Sequence, residues 1–155
     1  MEKEVLKKIF EFLEEKDKHN VPFKWKLINN EPLTKEDLNI KGDLDLYKTY
    51  INSLPEGLNV GNNLDLEFSY IESLPKDLKV NGNLKLYGCK HIQSLPEGLY
   101  VGRDLELQNS KIESLPEGLK VFMRLYIKHT PLIKYTDKEI REMVKPNGYI
   151  GHIIR

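Results

Sequence analysis

Apolar residues recur along the middle of this chain at a fixed interval. The string Ser-Leu-Pro-x-x-Leu occupies positions 53–58, 73–78, 94–99 and 114–119, at spacings of 20, 21 and 20 residues. Between these strings lies a second pattern: Leu44-x-Leu46, Leu64-x-Leu66, Leu84-x-Leu86, Leu105-x-Leu107 and, more weakly, Leu125-x-Ile127. An aliphatic residue follows five positions later, at Ile51, Ile71, Ile112 and Leu132; Ile92 arrives one residue late and accounts for the 21-residue spacing. The Leu-x-Leu alternation predicts a short strand with its leucines on one side. The proline fixes its own φ and drives the preceding leucine to extended geometry, so the return path of each unit is extended and not helical. Leu58, Leu78, Leu99 and Leu119, with Val60, Val80, Val101 and Val121, complete the inward set. One unit cannot enclose these residues, but stacked units bury them in a continuous core, each leucine contributing about 1.5–3 kcal/mol.

The flanks read differently. Val5, Leu6, Ile9, Phe10, Phe12 and Leu13 fall at helical spacing among charges, predicting an amphipathic helix over 2–19. Phe23, Trp25 and Leu27 alternate with Lys24 and Lys26 and read as a strand. Thr34 to Asp37 reads as a capped helical turn leading into the first coil. After the repeats, Thr136-Asp137 begins a helix through Val144, Pro146-Asn147-Gly148 stops it, and Tyr149–Ile154 is a short apolar strand or tail.

The segment Leu64-x-Leu66-x-x-Ser69-x-Ile71-x-x-Leu74-Pro75 resembles a leucine-rich repeat of the short, 20-residue bacterial type, similar to the repeats of secreted bacterial effectors and of many bacteriophage proteins. The resemblance covers about residues 39–135. It implies an α/β solenoid with a parallel concave sheet, an extended convex side and helical N- and C-terminal caps. The expected organisation is a helical cap over 1–38, about five coils over 39–135 and a second cap over 136–155, all in one structural domain. The family places asparagine where the strand turns to the convex side, but this column reads Thr49, Ser69, Cys89, Ser110 and Thr130. A hydroxyl and thiol ladder of shorter reach is expected there.

Of the 155 residues, 39% are hydrophobic, which fits an elongated, high-surface shape. With 24 basic and 24 acidic residues the formal net charge is zero, which argues against a generally basic nucleic-acid binder. The charges are not evenly spread: residues 39–121 hold nine basic and twelve acidic side chains, and residues 122–155 hold seven and three. One cysteine allows no intramolecular disulfide and no cysteine-based zinc site. The four histidines form no compact ligand pair, no acidic run has calcium-loop spacing, and no glycine-rich loop opens a helix. No nucleophile–base arrangement stands out. No enzymatic activity, metal or cofactor is expected. The start is too charged for a secretory signal, and no apolar run approaches the ~20 residues of a membrane span. A cytoplasmic protein without membrane contact is expected, and a host-cytoplasmic one on the bacteriophage reading.

The strand positions facing away from the core are the candidate binding surface. They run in columns: Asp43, Asn63, Asn83, Asp104, Arg124; then Asp45, Asp65, Lys85, Glu106, Tyr126; then Tyr47, Glu67, Tyr87, Gln108, Lys128; and at the rim Lys48, Phe68, Gly88, Asn109, His129. Tyrosines among charged groups are a common interface composition, because they add contact area at low entropic cost. The expected partner-binding set is Asp43, Asp45, Tyr47, Asp65, Glu67, Phe68, Lys85, Tyr87, Glu106, Gln108, Tyr126 and Lys128. Tyr50 and Tyr70 are expected to stack beside it. The leading expectation is a non-enzymatic module that binds a protein on its concave sheet. One alternative is a phage-encoded inhibitor of a bacterial host defence complex, its acidic face imitating nucleic-acid phosphates. Another is nucleic-acid binding through Arg124, Lys128, Lys134, Lys138, Arg141 and Lys145, which the absence of an evident stacking platform disfavours. A monomer or weak homodimer is expected, with Tyr149–Ile154 as the edge that would pair.

Overall fold

The computed structural model describes residues 22–155; the helix expected over 2–19 lies outside them. The chain divides into two compact units, residues 1–33 and 34–155. In the first, residues expected to form a strand form a helix, α1 (Phe23–Ile28). Phe23 and Leu27 are four residues apart and share a helix face as readily as a strand face. Pro22, with φ −57°, sits at the N-cap with its carbonyl accepting from Trp25 N at 2.9 Å and Lys26 N at 3.1 Å. Asn29 closes the helix through its side-chain amide on the Trp25 carbonyl at 2.8 Å.

The second unit is a parallel β-solenoid of about four turns. Each coil contributes two strands of two residues: β1 (Asn39–Ile40) and β2 (Leu44–Asp45), β3 (Asn59–Val60) and β4 (Leu64–Asp65), β5 (Lys79–Val80) and β6 (Leu84–Lys85), β7 (Tyr100–Val101) and β8 (Leu105–Glu106). The last coil fuses its pair into one seven-residue strand, β9 (Lys120–Tyr126), and β10 (Tyr149–Ile154) pairs with it in parallel. The odd strands and the even strands form two ladders that join at β9, in the order β1-β3-β5-β7-β9-β8-β6-β4-β2. The register follows the repeat: Leu44, Leu64, Leu84, Leu105 and Leu125 align, as do Ile40, Val60, Val80, Val101 and Val121. The odd strands were not expected, because a two-residue strand such as Asn59–Val60 leaves no alternation to read.

The core is the interior of the coils. Leu58, Val60, Leu64, Leu66, Ile71, Val80, Leu84, Leu86, Ile92, Leu99 and their counterparts in later coils are fully buried. No coil carries a helix on its return path; the Ser-Leu-Pro segments run extended and end in a turn at the two residues after proline. The odd and even strands are separated by a bend where successive backbones touch. A Cβ at Gly61 would lie 2.4 Å from the Lys41 carbonyl oxygen, so only glycine fits. In the last coil Phe122 takes this place within β9, and the register against β10 shifts there, between Ile150 and His152.

After β9, a 3-10 turn (Pro131–Lys134) leads to α2 (Asp137–Met143). Thr136 and Glu139 form a reciprocal capping box at its start. That contact holds the Glu139 carboxyl below its ordinary range, through the Thr136 backbone N–H first and its hydroxyl second. Arg141 donates to the carbonyls of Ile150 and Gly151, tying α2 to β10. Arg155 donates to the Ile133 carbonyl at 3.0 Å, the Tyr135 carbonyl at 2.6 Å and the Asp137 carboxylate at 2.7 Å. Among the described residues no helix is long and apolar enough to cross a membrane.

Candidate binding face

The even strands β2, β4, β6, β8 and β9 display the candidate columns in register: Asp45, Asp65, Lys85, Glu106 and Tyr126 stand side by side. The column before them is a hydrogen-bond ladder. The Asp43 carboxylate accepts from Asn63 N at 2.9 Å and from the Asn62 side-chain amide at 2.7 Å. Asn63 Oδ1 accepts from Asn83 N at 2.8 Å, Asn83 Oδ1 from Asp104 N at 3.1 Å, and Asp104 Oδ1 from Arg124 N at 3.0 Å. Each rung satisfies the backbone N–H of the next coil just after the bend, where no strand partner is available. Arg124 closes the ladder with a bidentate grip on Asp104, Nη2 to Oδ2 at 2.9 Å and Nε to Oδ1 at 3.2 Å.

The hydroxyl column does not form the ladder between coils that was expected, because its two threonines bond within their own coils. Thr49 and Thr130 donate to carbonyls three residues back in their own coils, Leu46 at 2.8 Å and Ile127 at 2.6 Å. Cys89 alone crosses to the preceding coil, donating to the Leu66 carbonyl at 2.9 Å, with Ser69 Oγ 3.8 Å away. Burial pushes the Cys89 thiol above its ordinary range, with Ser69 opposing. Ser110 Oγ is buried with no partner.

Local bonds also hold part of the next columns. Asp45 Oδ1 accepts from Tyr47 N at 2.9 Å and Asp65 Oδ1 from Glu67 N at 3.0 Å, the two-residue loop that Asp favours at a strand end. Lys85 stands among the carboxylates, 3.2 Å from Asp65 and 3.9 Å from Glu67. Burial raises the Glu67 carboxyl above its ordinary range, helped by Asp65 and opposed by Lys85. Glu106 is raised for the same first reason, burial, again with Lys85 opposing. Gln108 Oε1 is buried and unpartnered. The Tyr126 ring lies 5.6 Å from the Arg124 guanidinium. Lys128 is exposed at the end of its column.

The aromatic members come together. Phe68 packs edge-on between Tyr47 and Tyr87, with centroids 6.0 and 5.2 Å away. The ring leans over Gly88, where an added Cβ would sit 2.6 Å from it. Lys48 Nζ lies 5.0 Å from the Tyr47 centroid and 5.8 Å from that of Phe68. Lys48, Phe68, Gly88, Asn109 and His129 all turn through the left-handed region, so the rim column is a column of tight turns. Beyond it Tyr50 and Tyr70 pack at 5.1 Å, as expected, and His91 extends the stack, 5.0 Å from Tyr70 and 18° from parallel. The roles of Lys48, Gly88 and His91 were not foreseen. The one-residue insertion of the third coil was the clue to His91, which stands beside Tyr70.

The cations of the C-terminal end are largely engaged: Arg124 with Asp104, Arg141 with two carbonyls, Lys145 with Glu142 at 2.7 Å, and Lys134 against the Tyr135 ring at 4.9 Å. Among the described residues no cluster of three metal-ligating side chains forms. No protein-family model, curated protein or solved structure matches the chain.

Proposed function

We propose that the chain is a leucine-rich-repeat module, closed by helical caps, whose work is to bind a protein on the face of its even strands, the concave side in that family, without chemistry of its own. The observation that carries this reading is Phe68. It occupies a left-handed turn, φ 56°, which costs a residue with a Cβ roughly 1–2 kcal/mol. The same turn is made by Gly88 and Asn109 at little cost and by Lys48 and His129 at the cost Phe68 bears, so the turn belongs to the column and the exposed ring is what sets Phe68 apart. Phe68 leaves 41% of its surface in solvent. A strained, exposed aromatic ring supported by Tyr47, Tyr87 and the space over Gly88 fits an anchor for a partner better than a stabilising contact. Glu67, Lys85 and Glu106 beside it supply the charged surround.

The phosphate-imitating reading is less well supported. Asp43 and Asp104 serve the ladder, Asp45 and Asp65 serve local loops, and Lys85 stands in the middle of the remaining acids. The experiment is a triple substitution, Tyr47→Ala, Glu67→Gln and Tyr87→Ala, followed by capture of partners from the native cell. Loss of one captured protein with the thermal midpoint retained is the expected result. Unchanged capture rejects this face.

A further inference from the structure

The odd strands carry a different chemistry. Asn39, Asn59, Lys79, Tyr100, Lys120 and then Tyr149 of β10 stand in one register line across six parallel strands, and no carboxylate interrupts it. With neighbouring strands about 4.8 Å apart, cation and ring alternate at that step from Lys79 to Tyr149. Phe122, two residues beyond Lys120, links the rings, 5.4 Å from Tyr100 and 5.8 Å from Tyr149. Phe122 is 47% exposed and Tyr149 53%. Phe122 stands at the position held by Gly61 and Gly102 in two earlier coils, so the ring enters at the bend itself. Arg103 stands exposed at the bend of the preceding coil. Among the described residues Lys79, Arg103 and Lys120 make no ion pair. Asp77, Glu97 and Glu117 lie in the turns before the strands, and Asp104, next to Arg103 in sequence, is buried and paired with Arg124 at 2.9 Å.

We infer that this stripe binds single-stranded nucleic acid, with phosphates on Lys79, Arg103 and Lys120 and bases on Tyr100, Phe122 and Tyr149. Cations alone would suit any polyanion. Rings interleaved with cations suit a polyanion that also carries flat faces, and only an unpaired strand has bases free to stack. An acidic peptide would use the cations and leave the rings without flat partners. This surface is separate from the even-strand face, so the two readings stand or fall independently.

The test is fluorescence anisotropy of a labelled thymidine oligomer of about twelve nucleotides, within the usual site size, titrated with the full chain at rising salt. Saturable binding at low salt is expected, with log K falling against log salt at a slope of about −2, the value for three phosphates on a single strand. Phe122→Ala and Tyr149→Ala each weaken binding about tenfold. Lys79→Gln with Lys120→Gln reduces the slope to about −0.7. Phe122→Tyr keeps the ring and binds like the natural chain, and Tyr47→Ala on the other face changes nothing. The inference is overturned by absence of binding at low salt, by ring variants that bind unchanged while folded by circular dichroism, by weakened binding of Phe122→Tyr, or by an oligoglutamate of equal charge that competes as well as the oligomer.

Discussion

Asn83 is the middle rung of the side-chain ladder, and its removal tests the ladder's worth. Its Oδ1 is the acceptor for Asp104 N at 3.1 Å, and Asp104 is only 7% exposed. Asn83→Ala deletes the acceptor and leaves a buried N–H without a partner, at a cost of roughly 1–3 kcal/mol. For a chain of this size each kcal/mol moves the midpoint by about 2–4 °C, so a drop of about 2–12 °C is expected. Asn83→Asp keeps the acceptor, as Asp43 and Asp104 do in the same column. Its added charge meets an Asp104 already paired with Arg124 at 2.9 Å. Asn83→Asp is therefore expected within about 0.5 kcal/mol of the natural chain. Thermal unfolding followed by circular dichroism reads both variants. An alanine variant as stable as the natural chain refutes the ladder, and an aspartate variant as damaged as alanine shows that something other than the acceptor matters.

Three further outcomes follow from the same geometry. Phe68→Asn, copying Asn109, holds stability within about 1 kcal/mol because Asn tolerates the left-handed turn, yet loses partner capture; unfolding by this variant would make Phe68 structural. Glu67 and Glu106 are raised in the folded state, so they weaken folding at neutral pH, and that penalty fades as pH falls through their folded values toward the ordinary carboxylate value. Glu67→Gln and Glu106→Gln therefore raise the thermal midpoint at neutral pH and do so less at acid pH; a lower midpoint at neutral pH would contradict the burial argument. Cys89 is fully buried with its thiol raised, so a disulfide thiol reagent labels it only on unfolding, and rapid labelling of the native chain would contradict its place in the column.

The repeat, its register and the inward set were legible because each rests on leucine and valine at a fixed interval, and burial admits few substitutes. The odd strands were not, since two residues carry no periodicity. The ladder was legible in composition and misread in role. Asp43, Asn63, Asn83 and Asp104 alternate outward from the strand leucines like a surface column, and only the bend shows that they meet the next coil's N–H groups. Their shared property, a short side chain ending in an acceptor oxygen, was the available signal. The hydroxyl column drew attention because the family resemblance pointed there. The rings of Tyr47, Phe68 and Tyr87 were expected on one face, whereas the cluster of Tyr100, Phe122 and Tyr149 went unnoticed because its members come from three elements joined only by β9 and β10. Period-two spacing at Phe23, Trp25 and Leu27 read as a strand because five residues are too few to separate the two periods.

The proposal that Phe68 anchors a protein partner is tested most directly by photo-cross-linking. A benzophenone amino acid at position 68, compared with the same group at exposed Glu113, is irradiated in the native cell. The account predicts a discrete protein adduct from position 68 that is absent from position 113 and disappears when Tyr47 and Tyr87 are replaced by alanine. The same adducts from both positions, or none from position 68, would contradict it.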